Sequence, residues 1–169
     1  MNFGNYTQKS LEAVQGAQQL AVQNGNPQLE QIHLLVALLR QEGGLIPQLL
    51  KKMDVTVESF EAAAIAELNK LPRVSGSREA DRFYISSDTD ATFTAAQDQA
   101  QIMHDEFISV EHIFLGLLES AREGVKRLFD LYFNKSIVFT VLGHRHIVNY
   151  FTGLIFINNV ASHYLFSLL

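Results

Sequence analysis

One stretch of the chain is written twice, and this duplication constrains the fold more than any other feature. Leu29 to Leu39 reads L-E-Q-I-H-L-L-V-A-L-L, and 79 positions later Ile108 to Leu118 reads I-S-V-E-H-I-F-L-G-L-L. The same offset aligns Ala17 with Ala96, Ala21 with Ala100, Leu49 with Leu128 and Phe60 with Phe139. A supersecondary unit used twice, each copy with an apolar face, buries those faces by packing one copy on the other.

Within each copy the period is helical. Thr7 is placed as an N-cap, with Tyr6 and Leu11 spaced as a hydrophobic staple. Leu11, Val14, Ala17 and Ala21 then recur at helical spacing until Gly25, Asn26 and Pro27 interrupt them. The run from Ile32 to Leu39 is apolar almost all round, which predicts a helix at the centre of the core. Gly43 and Gly44 are expected to end it, and Ile46, Leu49, Leu50 and Met53 mark a short third helix that tolerates Pro47 in its first turn. Thr56 starts a fourth. Leu71 to Asp81, with Pro72, Gly76, two serines and mixed charge, has the composition of a linker. The second copy begins near Ser86, carries Phe93, Ala96, Ala100 and Met103 on one helix face, and caps its next helix with Ser109. The expected fold is all-α: two pseudo-symmetric four-helix repeats packed together, at about 6–71 and about 85–142 in one domain of residues 1–142. An atypical hydrophobic tail follows at 143–169.

Composition narrows the function. A net charge of −5 argues against nucleic acid as a partner, because a phosphate-binding face gathers Lys and Arg. The chain has no cysteine, so neither a disulfide framework nor a thiolate zinc site is available. Met1 to Gln19 lacks the continuous apolar core of a signal peptide, and the expected location is cytoplasmic. No G-x-x-x-x-G-K-[ST] stretch occurs, which excludes ATP hydrolysis by a P-loop, and no G-x-S-x-G elbow or H-E-x-x-H pair is present. His33 and His112 recur at equivalent places inside apolar helices, where packing and local hydrogen bonding explain them better than catalysis or metal binding. His144 and His146 flank Arg145 without a third ligand. These features predict no catalytic residue, no metal site and no cofactor; the remaining function is binding.

The motif Glu111-His112-Ile113-Phe114, with L-P-R-V-S-G at Leu71 to Gly76 and V-K-R-L-F-D-L-Y at Val125 to Tyr132, resembles the duplicated N-terminal domain of the Clp unfoldases, in particular the ClpB disaggregase branch. The resemblance covers roughly Asn5 to Leu142. It implies a substrate-handling module for unfolded or aggregated polypeptides, attached in full-length relatives to AAA+ ring modules. It also implicates polar residues at the mouth of the inter-repeat groove, here Thr7, Asp105 and Glu111, with Phe107 and Ile108 as apolar contributors. Plain structural readings stand beside these: Thr7 as a cap, Asp105 as a turn acid, Glu111 as a dipole partner. Two departures are visible. The first repeat lacks the glutamate before its histidine, which predicts a weaker cap there. Thr89 and Thr92 stand where the family usually places larger apolar residues, which is expected to loosen the first helix of the second repeat.

The resemblance stops before the tail. All 18 acidic residues lie at or before Asp130, and Ile147 to Leu169 carries no Asp, Glu, Lys or Arg. Three readings of 143–169 compete: an out-of-frame ending to a truncated disaggregase gene, a membrane anchor, and a genuine final helix. The length suits a bilayer, but Asn149, Asn158, Asn159 and His163 interrupt the apolar run, so a membrane-anchored helical adaptor is the alternative rather than the leading function.

Overall fold

Each repeat opens with a capped helix, and the two caps are equivalent. The computed structural model describes residues 4–74 and 84–133. Helix α1 (Gln8–Gln23) starts at Thr7, whose hydroxyl accepts from Ser10 N at 3.2 Å. Helix α5 (Ser87–Met103) starts 79 positions later at Ser86, whose hydroxyl accepts from Thr89 N, also at 3.2 Å. Helices α2 (Gln31–Arg40), α3 (Leu45–Lys52) and α4 (Val57–Leu68) complete the first repeat. Helices α6 (Val110–Ser120) and α7 (Glu123–Tyr132) continue the second. Phe139, the expected counterpart of Phe60, the domain boundary at 142 and the tail at 143–169 lie outside the described residues, as do residues 75–81 of the expected Leu71–Asp81 linker. Among the described residues no helix is long and apolar enough to cross a membrane.

The repeats are joined by reciprocal strand pairing. Strand β1 (Gln28–Leu29), which leads into α2, pairs in parallel with β2 (Tyr84–Ile85), which leads into α5, and Ser86 N donates to Leu29 O at 3.0 Å. In the mirrored position Tyr6, before α1, bridges in parallel to Ile108, before α6, and Thr7 N donates to Ile108 O at 3.0 Å. Each half therefore supplies an entry segment to the other, and the hydrogen-bonding groups of these short segments are satisfied across the repeat boundary.

The uninterrupted apolar character of α2 is explained by its position, because α2 touches every other described helix. Leu34, Leu35, Val36 and Leu38 are fully buried. Phe60 of α4 meets Phe129, Tyr132 and Phe133 at 4.9–6.3 Å between ring centres, and Phe114 of α6 packs edge-on against Phe129 and Phe133. The Tyr132 hydroxyl donates to Ser59 O at 3.0 Å and fastens α7 to α4.

Two local expectations are corrected. Helix α2 ends at Arg40 with Gln41 as its C-cap, ahead of the glycine pair; Gly43, at φ 62°, serves the following turn. Thr89 and Thr92 do not loosen α5. Both are fully buried and hydrogen-bonded. Thr92 Oγ1 lies 2.7 Å from Ser120 Oγ and 2.9 Å from Gln31 Nε2. Gln31 also accepts from Arg122 N at 3.0 Å, so one buried amide ties α2 to α5 and to the α6–α7 junction. The hydroxyls replace apolar bulk with a satisfied polar network.

Candidate functional site

The five residues singled out by sequence stand on two segments that the Tyr6–Ile108 bridge brings together: the entry to α1 and the entry to α6. Thr7 is committed twice, its hydroxyl to Ser10 and its amide to Ile108 O. Asp105 and Phe107 lie on the turn between α5 and α6 and are exposed; Phe107 keeps 46% of its surface in solvent. Glu111 lies in the first turn of α6, half-buried, and its carboxylate makes no hydrogen bond or ion pair to a described residue. Ile108 departs from expectation. Its side chain is only 6% exposed, while its main chain receives Thr7 N and donates to Asn5 O at 2.7 Å. Phe107 lies in the bend that precedes the Tyr6–Ile108 bridge and faces out, whereas Ile108, held in the bridge, faces in. Ile108 thus joins the two entry segments through its main chain and offers little side-chain surface to a ligand.

The repeated histidines explain how Asp105 is held. The His112 ring is 1% exposed; its Nδ1 accepts from Ser109 N at 3.0 Å, which places the proton on Nε2. Nε2 faces Asp105 Oδ2 at 3.1 Å and Met103 Sδ at 3.2 Å. His33 repeats the arrangement: Nδ1 accepts from Glu30 N at 2.9 Å, and Nε2 donates to Asn26 Oδ1 at 3.0 Å. Burial drives the His33 imidazole from 6.5 down to about 4, against the opposing effect of the Glu30 main chain, so the ring is neutral at pH 7. The cap of α2 is not the weaker one expected, since both helices begin with a reciprocal capping box closed by a histidine at the third position.

Ser109, His112 and Asp105 have the residue types of a hydrolytic triad, with Ser109 Oγ 2.9 Å from His112 Nδ1. The geometry serves a cap instead. Nδ1 already receives the Ser109 amide, and repeat one makes the same box with Glu30 in place of the serine. Among the described residues no three His, Asp or Glu side chains converge as a metal site, and the His144–His146 pair lies outside them.

The exposed part of the candidate site is the stretch from His104 to Phe107. Two clefts of about 280 and 270 Å³ lie elsewhere, one between the starts of α2 and α7 and one between α1 and α2. In the first, Glu67 pairs with Lys70 at 2.7 Å and Arg127 at 3.1 Å, and these cations, Lys70 foremost, hold its carboxyl below the usual range.

A model of the Clp repeat N-terminal domain family matches residues 5–131. The chain belongs to this family. The chain is 43% identical over 120 residues to the chaperone protein ClpB of Nitratidesulfovibrio vulgaris, an alignment that covers 70% of this chain and 14% of that protein. The chain thus spans about one seventh of the curated relatives it matches. Among solved structures, the Hsp104 N-terminal domain of Candida albicans shares the fold at a TM-score of 0.70, with 24% identity over 81% of this chain and 88% of that one. A ClpV N-domain solved in complex with a VipB peptide shares it at a TM-score of 0.62, with 16% identity over 83% and 90% of the two chains. The all-α repeat fold read from the sequence is the fold of these domains.

The Asp105–His112 pair was not anticipated as a unit. The 79-residue offset contains the signal, since it maps Asn26 and His33 onto Asp105 and His112. Recognising it requires knowing that the turn after the first helix folds back onto the start of the second.

Proposed function

We propose that this Clp N-terminal domain is the substrate-binding module of a ClpB-like disaggregase and captures exposed hydrophobic segments of unfolded or aggregated polypeptides. Attached AAA+ modules would then thread the captured chain, and the domain itself performs no catalysis. The observation that carries the reading is the juxtaposition of a solvent-exposed aromatic ring, Phe107, with the half-exposed Asp105 carboxylate, 51% accessible, on a rim fixed by inter-repeat hydrogen bonds. A rigid apolar anchor beside an oriented polar group is the usual form of a recognition site. The similarity in fold to a ClpV N-domain that holds a peptide supports the same reading.

Weak capture suits a module that must release its cargo. Burying two or three apolar side chains contributes on the order of 1.5–3 kcal/mol each before ordering costs, which leads to affinities nearer micromolar than nanomolar. The test is a calorimetric titration of the chain with unfolded casein. Saturable binding in the micromolar range is expected; no heat or signal at high micromolar concentration overturns the proposal.

A further inference from the structure

The duplication contains its own example of a chain segment seated on the corner that follows a repeat's first helix. In repeat one Gly25 turns with φ 67°, and Asn26 N donates to Ala21 O at 2.9 Å. The irregular segment 71–74 crosses this corner: Val74 N donates to Gly25 O at 2.9 Å, and Asn26 Nδ2 donates to Pro72 O at 3.0 Å. Repeat two builds the same corner 79 positions later. His104 turns with φ 59°, and Asp105 N donates to Ala100 O at 2.9 Å. The His104 carbonyl and the second oxygen of Asp105, however, receive no hydrogen bond from a described residue.

We infer that the His104–Asp105 corner seats a polypeptide segment, with a main-chain N–H on the His104 carbonyl and a lysine or arginine side chain on the Asp105 carboxylate. This rests on the reading of the mouth as a polypeptide-binding site and specifies its ligand. A side chain at the corner does not bar the seat. A Cβ built on Gly25 meets nothing closer than the Val74 oxygen at 3.6 Å and Arg73 Cβ at 4.0 Å, ordinary van der Waals distances. The change from Asn26 to Asp105 reverses the demand on the seated chain. Asn26 offers an N–H to a carbonyl, whereas an ionised Asp105 offers only acceptors, so its partner must be a donor. Glu106 and Glu111 on the same stretch add negative potential, which selects a cation. Phe107, two residues on, is placed for an apolar neighbour of that cation. His112 is a positioning residue, because its buried ring fixes one carboxylate oxygen and leaves the other for the ligand.

The test uses two fluorescein-labelled decapeptides, identical except that a lysine between leucine and phenylalanine is replaced by norleucine, titrated with the full chain. The lysine peptide is expected to bind about fivefold more tightly, the scale of a partly exposed charged contact. Asp105→Asn keeps an acceptor for His112, as Asn26 does for His33, and should abolish the preference without lowering the melting temperature. If that variant unfolds, His112→Gln replaces it: glutamine preserves the capping box but cannot orient Asp105, and it should also abolish the preference. Equal binding of the two peptides by the unaltered chain, or a preference that survives both substitutions, overturns the inference while leaving the capture reading intact. Failure of both peptides and of unfolded casein to bind overturns the capture reading itself.

Discussion

At the scale of single residues, one ring position serves different ends in the two repeats. His33 lies against a neutral amide and His112 against a carboxylate. With a folded value near 4 and an unfolded value near 6.5, His33 takes up a proton more readily in the unfolded chain between those limits. Its contribution is therefore fully present above about pH 6.5 and is lost as pH falls toward 4. Urea denaturation at pH 7.5 and at pH 5 should differ by roughly 2 kcal/mol from this group. Asn26→Asp gives His33 the partner that His112 has, favours the imidazolium and should shrink that difference. An unchanged pH dependence in the variant would show that another group sets it. The opposite exposure of Phe107 and Ile108 also belongs to this scale. Both were legible as apolar residues near the mouth, but which of them faced solvent depended on a bridge to Tyr6 far away in sequence.

At the scale of elements, caps and helical periodicity placed most helices, because a cap is a local hydrogen bond and a buried helix face leaves a local pattern. Thr7 and Ser86 act as such caps. The strand pairings were not legible, since two-residue strands carry no period and their partners lie in the other repeat. The Gln31–Thr92–Ser120 network was hidden for the same reason: three polar residues from distant positions become consistent only once α2, α5 and α6 meet. Gln31→Ala leaves the Arg122 amide without its acceptor and should cost about 1–3 kcal/mol in urea denaturation.

The helix crossings give a sharper contrast. A Cβ on Gly116 would lie 2.5 Å from Thr92 O and 2.9 Å from Ala96 N, both main-chain atoms of α5. Gly116→Ala should destabilise by roughly 1–3 kcal/mol. Gly16, in the corresponding crossing of repeat one, has only Ala37 Cβ nearby at 3.8 Å. Gly16→Ala should be neutral or stabilise by up to about 1 kcal/mol through helix propensity. Matching denaturation midpoints for the two variants would contradict this account of the crossings.

At the scale of the whole molecule, reciprocal pairing makes the two repeats one cooperative body, with α2 in contact with every other described helix. Residues 1–74 expressed alone lose the Ile108 and Ile85 partners of their entry segments and should show no cooperative thermal transition by circular dichroism. A cooperative transition in that half would mean that each repeat is self-sufficient. The duplication, legible in the sequence, thus yields two equivalent corners with different fates. One is crossed by the chain's own 71–74 segment, and the other presents Asp105 and Phe107 to solvent. The measurement that tests this most directly is an amide-resolved NMR titration of the isotope-labelled chain with unfolded casein. Saturating shifts are expected at Thr7, His104, Asp105, Phe107 and Glu111, with Gly25, Asn26 and Ser86 unmoved. Shifts centred on the Gly25–Asn26 corner, or no shifts at all, would contradict it.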